Sequence, residues 1–181
     1  MKTDLSQYDN SWYQPGAPLK RAIWYVVSCL FFQHSWAVCN RLKRLLLRVF
    51  GAEVGKGVVI KPSVQIKYPW KLKIGNHCWI GEGVWIDNLD EVTLGDHVSI
   101  SQGALLLCGN HNYKSATFDL MVAPIVLDEG SWVGAKAVVC PGVTLQSHAV
   151  LAVGAVATKD LEAYGIYQGN PAVLVKKRRI N

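Results

Sequence analysis

Aliphatic residues recur at every sixth position along most of this chain. The series begins at Val54 and runs through Ile60, Ile66 and Leu72. After a shift of two it resumes at Ile74, Ile80, Ile86 and Val92, and after a second shift at Leu94, Ile100 and Leu106. It restarts at Leu127 and continues through Val133, Val139, Leu145, Leu151 and Ala157. Gly or another small or polar residue often follows, as in Ile74-Gly75, Leu94-Gly95 and Val133-Gly134. An amphipathic helix would repeat at 3.6 and a half-buried strand at two. One aliphatic residue every six positions instead predicts a solenoid with three short strands per turn, its aliphatic side chains stacked along the axis. A single coil buries little by itself and depends on its neighbours. The expected fold is an all-β solenoid, a parallel β-helix of about five coils.

The shifts are regular. Ile74 follows Val54 by 20 residues, and Leu94 follows Ile74 by 20. Each such coil holds eighteen residues and a two-residue corner insert, and "YPWKLKIG", "NLDEVTLG" and "APIVLDEG" read as one corner used three times. Leu127 follows Leu94 by 33, so about thirteen further residues must leave the prism, in a loop over 108–124. Such a loop costs ordering entropy and adds no core, and loops of that length tend to be functional. His111 lies near its start, where an imidazole is a candidate general base near neutral pH. Cys108, three residues earlier, opens a Cys–His nucleophile as an alternative, set against a plain apolar thiol ending a strand.

The flanks differ from the repeat. Residues 1–19 form a polar arm without the basic start of a signal peptide. Residues 22–39 carry no Asp, Glu, Lys or Arg, but Gln33, His34 and Ser35 interrupt the apolar run and weaken a membrane-spanning reading. Near-helical spacing of Leu and Arg/Lys follows in "RLKRLLLRVF", so 20–50 reads as one or two amphipathic helices. They pack on the prism or a neighbouring subunit, or lie on the inner face of a membrane with Arg outward. The β-helix occupies 51–164, and 165–181 closes it and ends in a basic tail.

Composition narrows the setting. The 181 residues are 50% hydrophobic and 18% charged, as in a globular chain. The net charge of +6 is concentrated in "NRLKRLLLR" (40–48) and "KKRR" (176–179), which suits phosphates or anionic lipid as well as a solvated surface. No recognition motif accompanies these runs, so nucleic acid is disfavoured. Five Cys without a CxxC pair read as reduced thiols of a cytoplasmic protein.

The region 54–173 resembles the hexapeptide-repeat acyltransferases. "FGAEVGKGVVIKPSVQIKYPWKLKIG", "CGNHNY", "PGVTL" and "GNPAVLVKKR" are most similar to the acetyltransferases of colanic acid biosynthesis. The resemblance implies a left-handed helix, which spacing does not show and which general crossover chirality would not favour. It also implies acetyl-CoA as co-substrate with no metal, a sugar or lipid-linked sugar acceptor, and a homotrimer with its sites between adjacent prisms. His111 takes the role of base. Trp132, Gly134, Ala135 and Val153 fall where the pantetheine arm is held, Thr158 and Lys159 near the far end of CoA, and Lys176 near the adenosine phosphates. Ala135 stands where a Ser is common, so its backbone N–H becomes the oxyanion donor. Asp87, Asn88, Tyr113 and Asp119 are the candidates for holding the acceptor; the nearest expected Asn position is Gly81 here.

Two other functions fit parts of the pattern. His77 and His97 share one repeat position in successive coils, which raises a metal enzyme similar to the γ-class carbonic anhydrases. A non-enzymatic β-helix scaffold is the second, and His111 with its loop argues against it.

Overall fold

The structure is a computed structural model that describes residues 2–180. It is a parallel β-solenoid of about six turns with two short helices at its N-terminal end. The first face stacks Glu53–Val54, Leu72–Ile74, Val92–Leu94, Ile125–Leu127 and Thr144–Leu145. The second stacks Val59–Ile60, Trp79–Ile80, Ser99–Ile100, Trp132–Val133, Val150–Leu151 and Gly165–Gln168. The third stacks Gln65–Ile66, Trp85–Asp87, Leu105–Leu107, Val138–Val139 and Val156–Ala157. Registers follow the repeat: Ile74 pairs with Leu94, and Leu94 with Leu127 across the long gap. Ile60, Ile80, Ile100, Ile86, Leu106 and Val139 are fully buried. Each contributes about 2 kcal/mol of burial, shared between the coils above and below.

The sixth turn exceeds the expectation of about five. The hexapeptide signal fades after Ala157, yet Gly165–Gln168 adds to the second face beside Val150–Leu151. Val173–Lys177 then folds back antiparallel on it, with a register shift at Ile166/Tyr167. Lys176 therefore lies on a strand, not in a loose tail.

The corner between the first and second faces is a column of left-handed residues. Gly57, His77, His97, Gly130, His148 and Tyr164 have φ between 56° and 67°. His77 stacks on His97 at 5.4 Å and His148 on Tyr164 at 4.9 Å. A Cβ on Gly130 would meet the His148 ring at 2.6 Å, so that position is kept bare. The paired histidines thus belong to a stacked corner, and no group of three His, Cys, Asp or Glu able to hold a metal occurs among the described residues.

Helix α1 (Pro18–Phe31) lies against the third face, where Trp24 Nε1 donates to Ile66 O at 2.8 Å. Helix α2 (Asn40–Val49) covers the open end of the prism. The first coil has no lower neighbour, so its backbone groups need other partners. Lys43 Nζ donates to Ile60 O and Lys61 O, Arg44 to Val58 O, and Arg48 to Val54 O, while Asn40 Oδ1 accepts from Ile60 N. Of the two arrangements expected for this segment, packing on the prism is the one α2 shows, and outward Arg is not: three of its four cations cap the edge of a sheet. The exposed apolar stripe is on α1 instead, formed by Leu19, Ile23, Val26 and Leu30. No helix of the described residues is long and apolar enough to cross a membrane.

Candidate active site

The residues that leave the prism form a hairpin. Gly109–His111 pairs antiparallel with Leu120–Val122, and His111 lies opposite Leu120. The hairpin springs from Cys108, at the corner between the third and first faces, where Cys108 N donates to Asp87 O at 3.2 Å. Phe118, with φ 54°, turns its carbonyl toward His111 Nδ1 at 2.9 Å and stacks its ring on the imidazole at 4.5 Å. A carbonyl can only accept. Nδ1 therefore carries the proton, and the Nε2 lone pair is left to take one.

The N-terminal arm closes on this hairpin. Asp4 N donates to Ala116 O at 2.8 Å, and the Tyr8 ring stands 5.8 Å from the imidazole. Further along, Tyr13 Oη donates to Leu89 O at 2.7 Å. The contributions of Tyr8 and Phe118 carry no sequence signal, because both depend on how arm and hairpin meet.

Cys108 is fully buried, and burial pushes its thiol up to about 12. A thiolate is strongly disfavoured there, so the nucleophile alternative loses its chemical basis. Asp119 hydrogen-bonds Thr117 Oγ1 at 2.6 Å, which with Ser115 holds its carboxyl below the usual range. Its charge is thereby tied into the hairpin turn. Tyr113 is exposed on the same turn.

The other two acceptor candidates lie below, on the third face and its corner. Asn88 is fully buried; its Oδ1 accepts from Tyr68 N and its Nδ2 donates to Tyr68 O and Lys71 O. It is a bracket for the corner insert and offers no free polar group to an acceptor, contrary to the sequence expectation. Asp87 is buried and, among the described residues, ion-paired only with Lys67, 2.8 Å away.

The expected cofactor residues divide between two edges of the prism. Trp132, Gly134, Ala135 and Val153 line a cleft of about 630 Å³ on the second face and its corner with the third. Gly134 lets the next coil approach: a Cβ there would stand 2.6 Å from Val153 N. The Ala135 carbonyl accepts from Gly154 N at 2.9 Å. Ala135 occupies the corner position that Gln102 and Val153 take in the neighbouring coils. Trp132 is held by donating Nε1 to Ser101 Oγ at 2.9 Å. The cleft runs through Ile166 and Arg178 into a second hollow of about 570 Å³ bounded by Lys176, Lys177, Arg178 and Arg179. An apolar channel ending in cations matches an elongated ligand with terminal phosphates. Ser101 was not foreseen, and Arg178 was expected only as part of the basic run at 176–179. Arg178 Nη1 donates to Gly130 O and His148 O, a role invisible in a terminal run of like charges.

Thr158 and Lys159 are exposed and follow the last strand of the third face, on the same edge of the prism as the hairpin base. One width of the third face separates the two edges. From Ala135 to Cys140, which stands over the hairpin base, is five residues, or about 16 Å of extended chain. One chain thus presents the hairpin imidazole on one edge and the Trp132 cleft on another.

No family model matches the chain. It is 39% identical over 166 residues to a protein of Escherichia coli K12 assigned by name to colanic acid biosynthesis as the acetyltransferase WcaF, covering 92% of this chain and 91% of that one. It is 26% identical to the galactoside O-acetyltransferase of the same organism, covering 81% and 73% of the two chains. Among solved structures, a hexapeptide-repeat acetyltransferase of Vibrio cholerae complexed with acetyl-coenzyme A superposes with a TM-score of 0.81, at 19% identity, over 90% of this chain and 88% of that one. Galactoside acetyltransferase in complex with coenzyme A superposes at 0.79, with 24% identity and 88% and 81% coverage. At these identities the two structures speak to the fold, while the sequence relationship to WcaF speaks to kinship: the chain belongs to the hexapeptide-repeat acetyltransferases, in the company of the colanic acid biosynthesis enzymes.

Proposed function

We propose that this acetyl-CoA-dependent acetyltransferase acylates a sugar hydroxyl during cell-surface polysaccharide biosynthesis, with His111 as general base. The observation that carries the reading is the hydrogen bond from His111 Nδ1 to Phe118 O, which leaves Nε2 as the basic atom. Nε2 removes the hydroxyl proton as the sugar oxygen attacks the thioester carbonyl. The tetrahedral oxyanion is met by the backbone N–H of Ala135. Collapse expels the CoA thiolate, which takes the proton from the imidazolium.

Base and cleft stand on different edges, so an effective site needs a second copy. A head-to-tail contact that sets the hairpin edge of one prism against the cleft edge of the next would unite them, and such heterologous contacts close into a ring when the rotation between copies is an exact fraction of a turn. The homotrimer implied by the family resemblance is the ring we favour. Peripheral membrane contact and a lipid-linked acceptor rest on the apolar stripe of α1, not on α2.

The test is release of free CoA from acetyl-CoA with a panel of free sugars, nucleotide sugars and lipid-linked saccharides, comparing wild type with His111→Ala. Acceptor-dependent release that falls by about 10²–10⁴ in the variant supports the reading. Equal release by both proteins, or release that ignores the acceptor, overturns it.

A further inference from the structure

A cavity of about 450 Å³ lies between α1 and the third face, apart from the acyl-donor cleft. Its volume falls within the range of small-molecule sites. Trp85, Tyr25 and Tyr68 give it aromatic walls; Trp85 projects outward from its strand and is 44% exposed. One buried polar atom in its lining, Arg21 Nε, lacks a hydrogen bond among the described residues. Beside it Asp87 is only 7% exposed and is ion-paired through Oδ1 with Lys67 at 2.8 Å. A buried donor left unpaired loses its hydration with nothing in return.

The unpaired donor and the buried ion pair constrain the occupant. Arg21 must donate and Asp87 must accept. A lipid chain would satisfy neither. A phosphate would meet Arg21 but set a second anion beside Asp87. Hydroxyl groups both donate and accept, and the apolar face of a pyranose ring suits an indole or phenol wall. The cavity is therefore built for a saccharide.

Its position says which saccharide. Asp87 pairs with Leu107, and the hairpin leaves the prism at the next residue. His111 lies three residues past Cys108, roughly 10 Å along an extended chain. On the reading of His111 as base, we propose that this cavity is a subsite for a second sugar residue of an oligosaccharide acceptor, next to the one that is acetylated.

Saccharide binding to the intact protein without acetyl-CoA, read by tryptophan fluorescence and calorimetry, tests this apart from turnover. The probes are neutral hexose mono- to tetrasaccharides, with wild type, Trp85→Ala and Tyr25→Ala. Both substituted residues are exposed, and matched melting curves would show that the variants fold. The expected result is binding of a disaccharide or longer probe at least tenfold tighter than its monosaccharide, with each variant erasing most of that preference. In turnover, the variants should lower kcat/KM for the longer acceptor more than for the shorter. Binding that ignores chain length, or a preference that survives both substitutions, overturns the subsite. If the preference is present and depends on Trp85 while His111→Ala releases CoA like wild type, the subsite stands and the transfer reading falls.

Discussion

Phe118 grips His111 twice, accepting Nδ1–H on its carbonyl at 2.9 Å and stacking its ring on the imidazole at 4.5 Å. The carbonyl sets the tautomer; the ring sets the plane. Phe118→Leu keeps the first and loses the second, so it should lower kcat several-fold with little change in KM for acetyl-CoA. Phe118→Gly relaxes the left-handed backbone as well, and a loosened base should cost about 10²-fold. Steady-state kinetics on both variants separates the two contributions. Equal kcat for wild type and Phe118→Gly would mean that the base is positioned by something else.

The two half-sites can be tested by complementation. His111→Ala copies retain the cleft, and Ala135→Trp copies retain the base. When the two inactive proteins are unfolded and refolded together, roughly a quarter of the sites in a mixed ring should combine an intact hairpin with an intact cleft. Acetyl transfer recovered in the mixture, and absent from each protein refolded alone, is the expected outcome. No recovery would place the whole reaction within one chain.

What the sequence discloses about this arrangement follows from what repeats. Ile60, Ile80 and Ile100 can be picked out because their burial recurs with the coil, and the gap from Leu94 to Leu127 marks the hairpin. The hairpin's own strands are hidden, since Gly109–His111 and Leu120–Val122 show no common alternation. The duties of α2 are hidden for a different reason. Lys43 and Arg48 bond to carbonyls of the first coil, and a cation aimed at a peptide oxygen is spelled like a cation aimed at water. Arg178 and Asn88 belong to the same class, side chains that complete backbone hydrogen bonding far along the chain.

Lys43 gives a pH dependence with a defined sign. Its side chain is buried, and desolvation lowers its pKa from 10.5 to about 8. The unfolded chain therefore binds more protons than the folded one between about pH 8 and 10.5, and this residue's contribution to stability rises with pH across that window. Buried Cys108, with its raised pKa, acts in the opposite direction above the ordinary thiol value of 9.0. The difference between wild type and Lys43→Met isolates the lysine. At pH 7 the variant should lose about 1–2 kcal/mol, because two carbonyls lose their donor. The gap should widen toward pH 10. Denaturant titrations at a series of pH values give both quantities, and a gap that narrows with pH would contradict the assignment.

The apolar stripe of α1 predicts adsorption to lipid. Leu19, Ile23, Val26 and Leu30 are between 48% and 72% exposed, a costly arrangement on a free surface. Wild type should sediment with phosphatidylglycerol vesicles at moderate salt, and Ile23→Glu with Val26→Glu should abolish this without changing the melting temperature by more than about 2 °C. If the paired substitution instead shifts the oligomeric state in solution and leaves lipid binding unaltered, the stripe is a contact between copies.

The N-terminal arm reaches the hairpin through Asp4 and Ala116 and brings Tyr8 beside His111. Neither segment shares in the stacked aliphatic axis, so their order is a local matter that the prism does not guarantee. On warming, catalysis should fail at a lower temperature than the one at which the prism melts, and should return in full on cooling. An extension fused at the start of the chain would weigh on the same contact, so an activity measured on a protein tagged there reports the hairpin as the tag leaves it.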